Sequence, residues 1–172
     1  MIGALLGTLA WPLARAQGLD VSLAAAMAEA DVRKFSVIVG DTRDAPLWQG
    51  ENWRLKLRHE VELASWHVPR ARDLVEAGYS PVLRLERRLA GSQVTLFFEG
   101  SIGARLLSHT SVAPDRNLST AFQFADMIGL GVQWGANGGS SLGVRYQHLS
   151  NADIKRPNPG MDFLQVRYCY QF

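Results

Sequence analysis

From residue 19 to the end of the chain, apolar and polar side chains alternate with a period of two, the spacing of β-strands whose faces meet different surroundings. In WRLKLRHEVELASW, Trp53, Leu55, Leu57, Val61 and Leu63 share one face while Arg54, Lys56, Arg58, Glu60 and Glu62 share the other. In VTLFFEGSIGARLL, Val94, Leu96, Phe98, Ile102 and Leu106 alternate with Thr95, Glu99, Ser101 and Arg105. FQFADMIGLGVQW repeats the pattern with Phe122, Phe124, Ile128, Leu130, Val132 and Trp134 on its apolar side. The period predicts eight strands, near 19–28, 32–41, 53–67, 77–88, 94–108, 120–134, 140–150 and 162–172. Turn signals at Gly50-Glu51-Asn52, Gly91-Ser92, Pro114-Asp115 and Asn137-Gly138-Gly139 separate several of them. The first two are the weakest, because SLAAAMAEADV also suits a short helix.

A soluble sandwich and a membrane barrel both alternate in this way, so the chemistry of the faces has to decide. A soluble barrel turns its apolar face inward. The minority face here carries Arg54, Lys56, Arg58, Glu60, Glu62, Arg84, Glu86, Glu99, Arg105 and Arg145, which can be satisfied only as a paired network or in water. A membrane barrel puts that face inside and the apolar face in lipid, and strands of about ten residues suffice to cross at a tilt of about 45°. The fold class expected is therefore all-β, an eight-stranded antiparallel transmembrane β-barrel of the bacterial outer membrane. The last strand, DFLQVRYCYQF, sets Leu164, Val166, Tyr168, Tyr170 and Phe172 on one face. It resembles the C-terminal strand of bacterial outer-membrane proteins, whose terminal aromatic is read by the barrel assembly machinery.

Parity then exposes an anomaly in RYQHLSNADIKRP. His148 and Ser150 fall on the face made apolar by Leu142, Val144 and Tyr146, and Asp162 falls on the face of Leu164 and Val166. With an even strand number and periplasmic termini, these three groups meet near the outer leaflet on the lipid-facing wall. An unpartnered polar group in hydrocarbon costs a few kcal/mol, so such a cluster is a functional candidate. Two positions along a strand separate Cα atoms by about 6.6 Å, a span a histidine and a serine can bridge. Ser150 as nucleophile, His148 as general base and Asp162 as its orienting acid would form a hydrolytic triad. The bland alternative is three wet residues at headgroup level. His59, which shares parity with Leu55 and Leu57 but has Val61 at the next position, shows that a histidine on this face need not be catalytic.

Composition narrows the classes further. The 172 residues carry a formal net charge of +2 with cations spread along the chain, which argues against a nucleic-acid partner. One cysteine, Cys169, excludes an intramolecular disulfide, and no cluster has metal-site spacing, so neither metal nor cofactor is expected. MIGALLGTLAWPLARA, residues 1–16, is mostly apolar and ends in a small-x-small motif, the pattern of a cleaved signal peptide. The competing reading is a short buried helix broken by Pro12. Residues 17–172 are expected to form a single barrel domain.

HLSNADIKRPNPGMD, with FFEGSIGARLLS and LSTAFQFADMIGLGVQW upstream, resembles the outer-membrane lipid A 3-O-deacylase family, most specifically over residues 94–172. The resemblance implies an esterase that hydrolyses the 3-O-linked 3-hydroxyacyl chain of lipid A, within lipopolysaccharide, using a triad on the outer wall. Carried over, His148 is the base, Ser150 the nucleophile and Asp162 the acid, where the family often has glutamate. Asn158 would serve the oxyanion hole, helped by the backbone at Ala152 and Asp153, with Asn151 positioning. Lys155 and Arg156, in the adjoining loop, are candidates for substrate phosphates. A small structural or adhesive barrel, or another outer-membrane lipid enzyme such as a palmitoyltransferase or phospholipase, remains an alternative.

Overall fold

The computed structural model describes residues 18–42, 45–113, 116–135 and 139–172, and the leader expected over 1–16 lies outside them. Eight long strands follow the predicted order: β1 (Leu19–Ala28), β2 (Arg33–Thr42), β4 (Trp53–His67), β5 (Leu74–Arg88), β6 (Thr95–Leu107), β9 (Phe122–Trp134), β10 (Ser140–Ser150) and β11 (Met161–Gln171). Each pairs antiparallel with its neighbour in sequence, and pairing of β1 with β11 and of β2 with β4 closes the sheet into a barrel without a free edge. Three short strands, β3 (Trp48–Gln49), β7 (Ser111–Ala113) and β8 (Arg116–Asn117), decorate the rims. The stretch that also suited a helix is strand: Ser22, Ala24 and Ala26 point inward, while Leu23 and Met27 point outward. Alternating burial between two environments overrides the helix propensity of its alanines.

The outer wall is apolar from strand to strand, with Leu23, Phe35, Leu63, Ile102, Ile128 and Leu164 all exposed. The interior is ionic through its middle. Glu60 accepts hydrogen bonds from Arg145 at 2.8 Å, Arg167 at 2.6 Å and Arg58 at 3.1 Å. Arg58 also pairs with Asp20 at 2.8 Å, and Glu99 joins Arg145 to Arg84. Arg105 reaches Glu62 and Glu76, and Lys34 bridges those two carboxylates and donates to Gln147 at 2.6 Å. Room for the Arg105 side chain depends on Gly78, where a Cβ would overlap it.

The rim carrying residues 28, 150 and 161 is filled differently. Val32, Trp66, Val68, Leu74, Leu107, Val112, Leu118, Leu149, Met161 and Phe163 form an apolar plug. Trp66 packs edge-on against Phe163 at 4.6 Å and donates its indole N–H to Glu76, which ties the plug to the ionic layer beneath. The opposite rim holds both strand termini, where the Phe172 amide bonds to the Leu19 carbonyl at 3.1 Å. Ion pairs fill the middle of the lumen and the apolar plug fills the rim above them.

Removing one partner of a buried ion network strands the others, at about 3–5 kcal/mol. Glu60→Leu, which leaves three guanidiniums facing one another, should lower the denaturant midpoint of the refolded barrel by that order. Val61→Ala, on the outer face, should move it little. Equal stability of the Glu60→Leu barrel and its parent would refute the role given to the network.

Candidate active site

The last two long strands bring two of the three anomalous residues, His148 and Asp162, into contact. In the β10–β11 register His148 lies directly opposite Asp162, and both side chains face outward. The His148 Nδ1 to Asp162 Oδ1 distance is 2.6 Å, with both side chains about two-fifths exposed. An ionised carboxylate only accepts, so Nδ1 carries a proton, and in the neutral ring the lone pair is on Nε2. The aspartate therefore reaches the imidazole despite being one methylene shorter than glutamate. Ser150 shares the outward face of His148 two positions along β10, half-buried at the strand end. Among the described residues its hydroxyl has no hydrogen-bond partner, His148 included.

Two further polar groups flank this pair. Tyr146, one outward position below His148, presents its hydroxyl to the Asp162 carboxylate. On the other side, β9 sets Asp126 opposite His148 in register and exposed on the same wall. Alternation along β9 puts Asp126 on the face of Phe124 and Ile128, so its orientation was readable, but its neighbour across the ladder was not. The hydrogen bond shows which carboxylate orients the ring: Asp162 has it. His59, by contrast, lies on the outer wall bonded through Nδ1 to the Tyr79 hydroxyl at 2.7 Å, with no serine beside it.

The loop from 151 to 160 frames the pair from above. Asn151 is fully buried and turned inward, and its Nδ2 donates to the Leu118 carbonyl at 2.9 Å and the Lys155 carbonyl at 2.8 Å. Its backbone N–H donates to Asn158 Oδ1 at 3.1 Å, which fixes the Asn158 amide so that Nδ2 points the other way, toward Asp153 Oδ1 at 3.3 Å. Ala152 and Asp153 both adopt left-handed conformations, with φ of 52° and 60°, making a tight turn directly after Ser150. Lys155 and Arg156 stand exposed at the tip, where Arg156 pairs with Asp153 at 3.1 Å. A second crossing, residues 108–121 with β7 and β8, braces this loop: Ser119 Oγ donates to the Pro157 carbonyl at 2.7 Å. Long-range bracing of this kind has no signature in the local sequence.

Gly160 backs the imidazole. Its φ is +66°, and a Cβ there would stand 2.7 Å from His148 Cε1. Both constraints call for glycine. Gly160→Ala should therefore push the ring off Asp162 while the barrel still forms, read as loss of the His148 Nδ1–Asp162 contact in a crystal structure of the variant. An unchanged contact in Gly160→Ala would refute the packing role given to Gly160.

Comparison with known proteins gives a consistent picture. The family model described as lipid A 3-O-deacylase (PagL) matches residues 35–171. The lipid A deacylase PagL of Bordetella bronchiseptica is 38% identical over 130 residues, covering 73% of this chain and 70% of that protein. The Pseudomonas aeruginosa lipid A deacylase PagL is 31% identical over 157 residues, covering 91% of this chain and 88% of that protein. The crystal structure of the outer membrane enzyme PagL superposes with a TM-score of 0.81 at 30% identity, over 89% of this chain and 99% of that one. Neisserial surface protein A aligns with a TM-score of 0.52 at 12% identity, over 90% of this chain and 94% of that one, a likeness of fold alone.

Proposed function

The chain belongs to the lipid A 3-O-deacylase family, an outer-membrane β-barrel enzyme by that membership, and we propose that it cleaves the 3-O-acyl ester of lipid A with a Ser150–His148–Asp162 triad on its outer wall. The observation that carries this reading is the 2.6 Å bond from His148 Nδ1 to Asp162, made on an outward face that also bears Ser150. A histidine–carboxylate pair has no structural task on an apolar wall. With Nδ1 tied to the carboxylate, Nε2 of the neutral ring is free to take a proton from Ser150, two positions along the same face, and that is a chemical one.

In the proposed reaction Ser150 Oγ attacks the acyl carbonyl carbon as Nε2 of His148 takes the hydroxyl proton, and Asp162 steadies the imidazolium. The negative charge on the carbonyl oxygen is met by the Asn158 Nδ2 hydrogen not directed at Asp153 and by a backbone amide at Ala152 or Asp153. Asn151 keeps those donors in place by tying down the loop. Collapse breaks the ester C–O bond, and the imidazolium returns its proton to the departing sugar oxygen. Water, deprotonated by His148, then attacks the acyl-serine and releases a 3-hydroxy fatty acid with Ser150 restored.

The wall position suits a substrate that is itself membrane lipid. Lipid A in the outer leaflet would reach the triad laterally, with exposed Lys155 and Arg156 in the adjoining loop to meet its phosphates at headgroup height. That height also requires the rim bearing residues 150 and 161 to be extracellular, with β11 and its final Phe172 presented to the barrel assembly machinery from the periplasmic side.

The test is release of 3-hydroxy fatty acid from lipopolysaccharide by refolded barrel, followed by mass spectrometry. Ser150→Ala and His148→Ala should each lower the rate by about 10⁴-fold or more, and Asp162→Asn somewhat less, without loss of folding. Hydrolysis that survives loss of both Ser150 and His148 would refute the triad.

A further inference from the structure

Arg116, in β8, touches the machinery from outside the strands that carry it. Its Nη2 donates to Glu29 Oε2 at 2.6 Å, bridging to the turn between β1 and β2, and its Nη1 points at the Gly160 carbonyl at 3.4 Å and at Met161 Sδ at 3.9 Å. Gly160 is the residue whose backbone lies against the His148 ring, and Asp162 is two positions on. The crossing that carries Arg116 already holds the 151–160 loop at Asn151 and Pro157, so Gly160 is its third grip, placed where loop becomes strand.

Stability does not explain the arrangement. Glu29 is about two-thirds exposed, and an ion pair so open to water contributes little to stability. A closed eight-stranded ladder has no need of it. Its effect is local: Glu29 fixes the guanidinium, and the guanidinium fixes the backbone behind the imidazole.

We propose that Arg116, held by Glu29, is a positioning residue for the hydrolytic reaction, pinning the Gly160 carbonyl and so keeping the His148 ring between Asp162 and Ser150. This rests on the triad proposed above and adds to it two residues from distant parts of the chain.

The experiment measures kcat and KM for fatty-acid release by full-length refolded barrel carrying Arg116→Gln, Glu29→Gln or both, beside Ser150→Ala. Each single substitution should lower kcat about tenfold with KM within about twofold and the melting midpoint unchanged. The double variant should fall no further than the worse single one, since both changes disable one device. Glu29→Gln changes only an exposed side chain, so it remains decisive even where Arg116→Gln folds poorly. Unchanged kcat in Glu29→Gln, losses that multiply in the double variant, or a raised KM at normal kcat would each overturn the positioning role, the last by making Arg116 a substrate contact. Inactive Ser150→Ala beside unimpaired Arg116→Gln and Glu29→Gln would sink this inference alone, whereas active Ser150→Ala would sink the triad.

Discussion

Glu60, buried among Arg58, Arg145 and Arg167, sets the constraint on which the remaining structure depends. Charges in a packed lumen cannot be hydrated, so every one must find an opposite partner with good geometry or cost several kcal/mol. That requirement fixes the parity of six strands at once, because β1, β4, β5, β6, β10 and β11 all contribute side chains to the connected network around Glu60 and Glu99. A one-residue slip in any of them would carry a charge into lipid and a leucine into the ionic layer. Fixing the inside in this way also fixes what stands outside.

The site follows from the same parity. Arg145 and Gln147 point inward on β10, so Tyr146, His148 and Ser150 must point outward, and Arg167 and Gln165 do the same for Leu164 and Asp162 on β11. Polar groups on an apolar wall are tolerable only near its edge, which is where β10 ends and β11 begins. The apolar plug of Trp66, Leu118, Leu149 and Phe163 lies on the inner side of that edge and backs β10 and β11. A filled interior and a polar cluster on the exterior thus follow from one alternation.

Much of this was legible in the chain. Period-two alternation placed all eight long strands to within about three residues, and the identity of the minority face, Arg58 to Arg145, selected the membrane barrel over the soluble one. Counting outward positions found His148, Ser150 and Asp162 because their chemistry contradicted their neighbours. Alternation put Asp126 on the outer face but could not set it opposite His148, which takes the β9–β10 register. Nor could it show Arg116 and Glu29, 87 residues apart, or the inward turn of Asn151 onto the Leu118 carbonyl. Strand faces follow from local sequence, whereas loop-to-loop contacts depend on which rim elements the closed barrel happens to bring side by side.

The most direct test of the account is chemical trapping in a lipid bilayer. A long-chain alkyl fluorophosphonate, which partitions into membrane and reacts with activated serine hydroxyls, should label the reconstituted barrel on Ser150, as read by peptide mass spectrometry, and should fail to do so in His148→Ala. Adduct on any other serine, or equal labelling of Ser150 without His148, would contradict a base-activated nucleophile on the lipid-facing wall.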